Sequence, residues 1–474
     1  MNATGEINQT TIVLDWLATH IGGTVTSLVP QLRWRPQWFV DIERDGETLA
    51  LMVRGDRRDT RTTWPLHHEM RFQELLHDQG MNVPRVYGWI AELPGFVTDR
   101  VAGQPNFAGT PDDQRATVID EYLEALAAVH RLDVAPFIEA GIDHADDADG
   151  AATIGMRRME AMFRSQKVRP DPFMEFCLGW FHRHEPVGHG RQGPVVWDSG
   201  QFHHHDGHLT GLLDLELGHI GDPMMDLAGW RMRDSIIGFG DFGAIYARYE
   251  AVADAPVDLE AIQLHHIAFT FSNQLAFSHA LKDPPPGSDF ATNLQWCNET
   301  NLYATEAIAE YLGAELPTVE PIEARRSPVA AAHTHLVRAL RSVDTADEVV
   351  GHQLRTAFRL ARHLARFDEI GDAAVAADLD DIHVVLGRRP EEWTEGEEEL
   401  ERFVLADATV GRRDEDLLWL FHRRNLRAQM LNGPAGSAMA RHLPIQPFGR
   451  PTPVATDPLT TLHSPLATKG PIDA

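Results

Sequence analysis

Two carboxylates stand directly after short apolar runs: Asp198 after Val195-Val196-Trp197, and Asp214 after Leu209-Thr210-Gly211-Leu212-Leu213. Gln201 lies between them, thirteen positions before Asp214. Upstream, Arg54 closes the strand-like run Thr48–Arg54, and Glu69 sits on a segment whose Leu66, Met70 and Leu76 share one helical face. These residue types suit phosphoryl transfer. That reaction needs a cation on the phosphates, an acid that fixes the cation, a base near the acceptor hydroxyl and hard oxygen ligands for magnesium. Arg54, Glu69, Asp198 and the pair Gln201 and Asp214 fill those roles in turn. Each also has a plainer reading: Asp198 before Ser199-Gly200 is a good turn former, and Arg54 and Glu69 can be two solvated charges.

The elements that must carry these residues follow from periodicity. Strand-like runs at Trp38–Ile42 and Thr48–Arg54 flank Asp45-Gly46, a hairpin signal. After the 66–76 helix, Asn82-Val83-Pro84 breaks the chain, and Val86–Ile90 and Phe96–Thr98 read as a second strand pair split by Pro94-Gly95. Helical periodicity dominates from Val118–His130 onward, with further helices expected at 241–252, 258–280, 293–312, 329–341 and 346–367. The expected domains are 1–102, a small sheet-bearing lobe; 103–320, a mainly helical lobe; 321–432, a separate helical unit; and 433–474, an irregular tail with eight prolines.

Composition narrows the function. The 474 residues carry 70 acids against 42 bases, a net charge of −28, which argues against nucleic acid or an anionic membrane surface as partner. No apolar run reaches the roughly 18 residues of a membrane span, and the first 30 residues lack the basic start and apolar core of a signal peptide. Two distant cysteines, Cys177 and Cys297, suit a reducing compartment, and the chain reads as cytoplasmic. Only three of the basic residues are lysines, Lys167, Lys282 and Lys469. A phosphate-binding cation before residue 167 must therefore be an arginine.

The stretch Gly211-Leu212-Leu213-Asp214-Leu215-Glu216, continued by Gly221-Asp222-Pro223 and Asp226-Leu227-Ala228, resembles the magnesium segment of the aminoglycoside phosphotransferase and choline kinase-like enzymes. Val83–Trp89, Phe96–Gly103 and Leu126–His130 are similar to other parts of that family, and the resemblance spans roughly residues 25–315. It implies an α+β, two-lobed protein kinase-like fold with a small β-rich N-lobe and a mainly helical C-lobe, here with an added helical C-terminal region. It also implies ATP or GTP as co-substrate, Mg2+, and a small-molecule hydroxyl as acceptor. By resemblance Asp214 is the metal ligand, Asp222 and Asp226 brace the loop, and the backbone at Thr98, Asp99 and Val101 is the hinge that holds the base of the nucleotide.

Three departures from the family pattern stand out. Arg54 replaces the usual lysine, and its planar fork is not equivalent to an ammonium. The catalytic loop is shorter, so that an ungapped count puts Val196 where the base belongs; either Asp198 swings into place or the base is missing. Arg33-Trp34-Arg35-Pro36-Gln37-Trp38 lacks the glycine of a phosphate-covering loop. A catalytically inactive nucleotide-binding pseudokinase or scaffold is thus the rival to an active kinase, with the C-terminal helical region as candidate surface for self-association or a protein partner.

The remaining signals read plainly. His203-His204-His205 would alternate faces on a strand and cannot converge on one ion. His130, Trp180, Trp230 and Trp296 read as packed residues, and the acidic run Glu391–Glu399 as solvated surface.

Overall fold

The computed structural model describes residues 3–32, 35–57, 62–188, 190–284, 288–432 and 442–447. Helix α1 (Ala3–His20) leads into strands β1 (Thr24–Leu32), β2 (Pro36–Arg44) and β3 (Glu47–Gly55). Helix α2 (Leu66–Asp78) and strands β4 (Val86–Ile90) and β5 (Gly95–Asp99) complete the first lobe. The five strands form one antiparallel sheet in the order β1-β2-β3-β5-β4. Asp45 and Gly46, at φ 53° and 84°, make the β2–β3 turn with two left-handed residues, as a tight hairpin requires. Alternation then divides the labour of β3. Leu51 and Val53 are buried against Val13, Trp16 and Leu17 of α1, whereas Arg54 points to the other face, where α2 lies.

The second lobe begins with α3 (Asp112–His130), α4 (Ala135–Glu139), α5 (Ala148–Gln166) and α6 (Pro172–Arg183). Four short strands follow: β6 (Gly193–Val195), β7 (Phe202–His205), β8 (His208–Leu212) and β9 (His219–Gly221), with β6 paired to β9 and β7 to β8. Helices α7 (Met224–Ile237), α8 (Phe242–Ala253), α9 (Leu259–Lys282) and α10 (Phe290–Leu312) close this lobe. The C-terminal helices are α11 (Ala330–Ser342), α12 (Glu348–Leu386), α13 (Trp393–Asp407) and α14 (Asp414–Asn432). A small β-rich lobe followed by a mainly helical one is the two-lobed kinase-like arrangement expected from the sequence.

Several expectations need correction. The first strand of the catalytic region stops at Val195, because Trp197 turns to φ 61° and cannot continue a ladder. The polar stretch before β8 is itself strand β7, joined to β8 through Asp206-Gly207. Helix α12 runs on to Leu386: Asp347 caps its start by accepting from Val349 N, and Gly387 at φ 74° ends it. The acidic run forms much of α13, and Glu397 is drawn into an ion pair with Arg424 at 2.8 Å rather than left in solvent. Residues 321–432 do not pack as a unit apart. Leu379, Ile382, Leu400 and Phe421 join Phe173 and Trp180 of α6 in a single core, so the C-terminal helices pack onto the second lobe.

Most of the proline-rich tail, and Arg33 and Trp34 of the candidate phosphate-covering loop, lie outside the described residues. Residues 442–447 are described, and they are a strap. Gln446 is buried; its side chain accepts from Phe242 N and donates to Asp234 and to the Gly240 carbonyl, while its own carbonyl accepts from Arg231. His442 lies between Glu299 at 2.9 Å and Glu306 at 2.6 Å. Burial opposes its charge, but the two carboxylates prevail and raise its pKa to about 10. Protonated His442 therefore stabilises the fold fully below its ordinary pKa near 6.5, and that contribution is lost as pH rises through about 10. Urea unfolding from pH 6 to 10.5 should show this loss in the wild type and not in His442→Gln. A parallel decline in both would remove His442 as the cause.

Candidate active site

The site lies where the two lobes meet. Glu69 occupies the buried face of α2, next to Met70, which packs on Phe96 of β5. A carboxylate on such a face needs a partner. It has two: Arg54 Nε at 2.8 Å and Arg35 at 3.6 Å. From Glu69, Arg54 reaches on to Asp214 Oδ1 at 2.7 Å, with Glu216 at 3.6 Å. Glu216 also pairs with Arg35 and, at 2.6 Å, with Arg57. Arg54 and Glu69 are thus joined, and the ion-pair network extends to Asp214 and Glu216 after β8.

The loop from Val196 to Gln201 is held from below. The Asp226 carboxylate, wholly buried at the start of α7, accepts from Val196 N at 2.9 Å and Trp197 N at 2.5 Å, and takes His130 Nε2 at 2.8 Å. His130 is completed by the Tyr249 hydroxyl at 2.6 Å, so it is a packed residue that also positions Asp226. Gly229, a turn further along α7, lies against the Trp197 carbonyl, where any Cβ would collide. So supported, Trp197 holds its left-handed conformation, and Asp198 N folds back to donate to Val196 O at 2.9 Å.

The turn points Asp198 at α7. Its two oxygens meet Arg233 Nε at 2.8 Å and Nη2 at 2.6 Å, a bidentate pair, and Oδ2 also accepts from Gln201 Nε2 at 2.8 Å. Asp214, likewise left-handed at φ 57°, lies across from it after β8. Asp198, Gln201 and Asp214 line one cavity of ≈ 150 Å³ together with Glu216, Arg57 and Arg233. Burial raises the pKa of Asp198 despite Arg233. It acts the same way on Asp214, but Arg54, then Arg35 and Arg233, outweigh it and hold that carboxyl well below the usual range.

Thr98, Asp99 and Val101 are not part of this cluster. Thr98 is buried, its hydroxyl bonded to the Arg85 carbonyl and to Gln73. Asp99 accepts from Arg85 N and Tyr87 Oη, and the Val101 carbonyl meets His203 Nδ1 at 3.1 Å. This hinge packs on Gly211 of β8, the strand that ends just before Asp214. The histidine triplet alternates as expected, with His204 buried and bonded to the Asn106 carbonyl and His205 exposed. Asp222 accepts from Met224 N at 2.9 Å and faces His265, a bracing position.

Sequence reasoning missed Arg35, Arg57 and Arg233. Arg233 carried a signal, since it follows Asp226 by two helical turns and so shares its face of α7. Trp296, expected in the core, is instead half-buried and lines the cavity.

Magnesium takes a few oxygen ligands and leaves the rest of its shell to water and phosphate. Gln201 Nε2 is engaged by Asp198 and Asp214 Oδ1 by Arg54, whereas the Gln201 amide oxygen and Asp214 Oδ2 have no hydrogen-bond partner among the described residues. This donor set fits the ion. No group of three or more His, Cys, Asp or Glu side chains among the described residues is arranged to hold a metal. Nor is any described helix long and apolar enough to cross a membrane.

Residues 34–265 match the family model of the phosphotransferase enzyme family. This segment contains every residue of the cluster. Among solved structures, the chain is similar to a candidate aminoglycoside phosphotransferase from Ralstonia eutropha JMP134, at 17% identity over 64% of this chain and 98% of that one, with a TM-score of 0.48. It is also similar to the choline kinase LicA from Streptococcus pneumoniae, at 14% identity over 65% and 99%, TM-score 0.47. A third is macrolide 2'-phosphotransferase MphH from Brachybacterium faecium, at 17% over 58% and 93%, TM-score 0.41. No curated protein sequence matches significantly.

Arg54 stands where a lysine was the expected residue by resemblance. It joins Glu69 and Asp214 through different nitrogens, which one ammonium cannot reproduce. Arg54→Lys is expected to weaken nucleotide binding about tenfold, read by titration calorimetry. Unchanged affinity would mean that Arg54 serves structure only.

Proposed function

We propose that the chain transfers the γ-phosphate of ATP or GTP to a hydroxyl of a small molecule. The observation that carries this reading is the single cavity in which Asp198, Gln201, Asp214 and two guanidinium groups converge, with Arg54 and Glu69 behind them. Arg57 and Arg233 in the cavity, with Arg54 behind them, neutralise phosphate charge, and Asp198 accepts or orients the acceptor proton. A carboxylate has about four acceptor positions, so three bonds from Arg233 and Gln201 leave Asp198 capacity for a hydroxyl. Magnesium, held by Gln201 and Asp214, would screen the transferring phosphate; positioning and fixed charge supply the remaining rate. Two buried, unpaired cysteines favour a reducing compartment such as the cytoplasm.

A thermal-shift titration with ATP and GTP, with and without magnesium, tests this directly. Stabilisation by neither nucleotide overturns it. Because burial raises the Asp198 pKa, the acid limb of kcat/KM should lie above the ordinary aspartate range, with activity falling as pH drops through it. An acid limb at the ordinary aspartate pKa would remove Asp198 as base.

One observation favours the inactive alternative: Asp198 is already clasped by Arg233 and Asp214 by Arg54. In that reading nucleotide stabilises the protein and no phosphate moves. Product formation separates the two.

A further inference from the structure

The part of the cavity lining supplied by α9 and α10 has a chemistry of its own. One face of α9 supplies Phe269, Ser272, Asn273, Ala276 and Phe277, the spacing of a single helical stripe. Asn293 and Trp296 of α10, with Met159 and Met232 from α5 and α7, also line the cavity. None of the described residues that α9 and α10 contribute is an acid or a base. Every carboxylate that lines the cavity is paired with arginine: Asp198 with Arg233, Asp214 with Arg54, Glu216 with Arg57. An ammonium group entering here would lose its hydration and find no free counter-charge. Asn273 and Asn293, in contrast, have no hydrogen-bond partner for their carboxamides among the described residues, and neither has the Trp296 indole nitrogen. Neutral polar groups without partners beside aromatic walls ask for a neutral ligand with an apolar body.

We infer that the acceptor is an uncharged alcohol with an aromatic or hydrocarbon body, gripped by Phe269, Phe277 and Trp296 and oriented by Asn273 and Asn293. This rests on the phosphotransfer reading for the word acceptor, and the pocket chemistry can be tested without it. The cavity measures ≈ 150 Å³ over its whole lining, so a body of about one ring is the most it admits. An acidic cleft would suit a cationic acceptor such as an amino sugar or choline, but here the carboxylates that line the cavity are all paired with arginine.

The test is saturation-transfer NMR on the full chain without nucleotide, using 2-phenylethanol, choline and glucosamine as probes. 2-Phenylethanol should bind, and Trp296→Ala should weaken it about tenfold or more. Asn293→Asp, which places an unpaired carboxylate in the wall, should let choline bind while leaving the fold intact by circular dichroism. Choline or glucosamine binding the wild type as well as 2-phenylethanol overturns the inference, as does absence of 2-phenylethanol binding or its indifference to both substitutions. Failure of ATP and GTP to stabilise a protein that still binds 2-phenylethanol would sink the kinase reading alone.

Discussion

Asp214→Asn is expected to abolish the magnesium-dependent part of nucleotide stabilisation and to lower phosphate transfer by at least about 10³-fold. The substitution is close to a pure charge removal. Asp214 sits at φ 57°, in the left-handed region that asparagine tolerates almost as well as aspartate. Arg54 keeps Glu69 when its second partner is neutralised. The unliganded variant should melt below the wild type, because the ion pair with Arg54 is lost, so the nucleotide response is read as the shift from each protein's own unliganded midpoint. What disappears is the carboxylate that Arg54, Arg35 and Arg233 keep ionised far into acid. A variant that still gains stability from magnesium with ATP or GTP would assign the ion to other residues.

The residues on which this prediction rests were legible for different reasons. Arg54 followed from counting: with no lysine before position 167, the cation of the first lobe had to be an arginine at a strand end. Glu69 was marked as an acid on the helix that follows the Arg54 strand, and Asp214 by a strand that ends in a carboxylate before Gly221-Asp222-Pro223. Arg233 was not legible in the same way. Periodicity puts it on one face with Asp226, yet which way α7 presents that face depends on Gly229 admitting the Trp197 carbonyl. The same applies to Trp296, which periodicity calls a packed residue and tertiary structure turns to a cavity wall.

The contacts of the last helices are hard to read from sequence for a related reason. Alanine- and arginine-rich helices with a change of composition look like a unit apart. Their apolar stripes carry no mark that says whether they meet each other or an earlier helix. In the fold Leu400 and Phe421 meet Phe173 and Trp180. Burial of that surface outweighs any tendency to separate.

Asp226→Ala should cost about 3–5 kcal/mol of stability, the largest loss expected from any single side chain of the loop. The carboxylate is fully buried and serves three donors: Val196 N, Trp197 N and His130. Alanine leaves two backbone N–H groups without acceptors in a dry interior, and removes what holds Trp197 at φ 61°. Relaxation of Trp197 towards ordinary backbone angles would swing Asp198 away from Gln201 and the cavity. Phosphate transfer should then fall by about 10²-fold or more even where the variant is folded, while magnesium and nucleotide still bind through Asp214 and Arg54. Urea unfolding measures the first effect and a titration of ATP with magnesium the second. Retained transfer in a destabilised protein would show that Asp198 does not depend on this anchor, and the short loop would then need another explanation for reaching the acceptor.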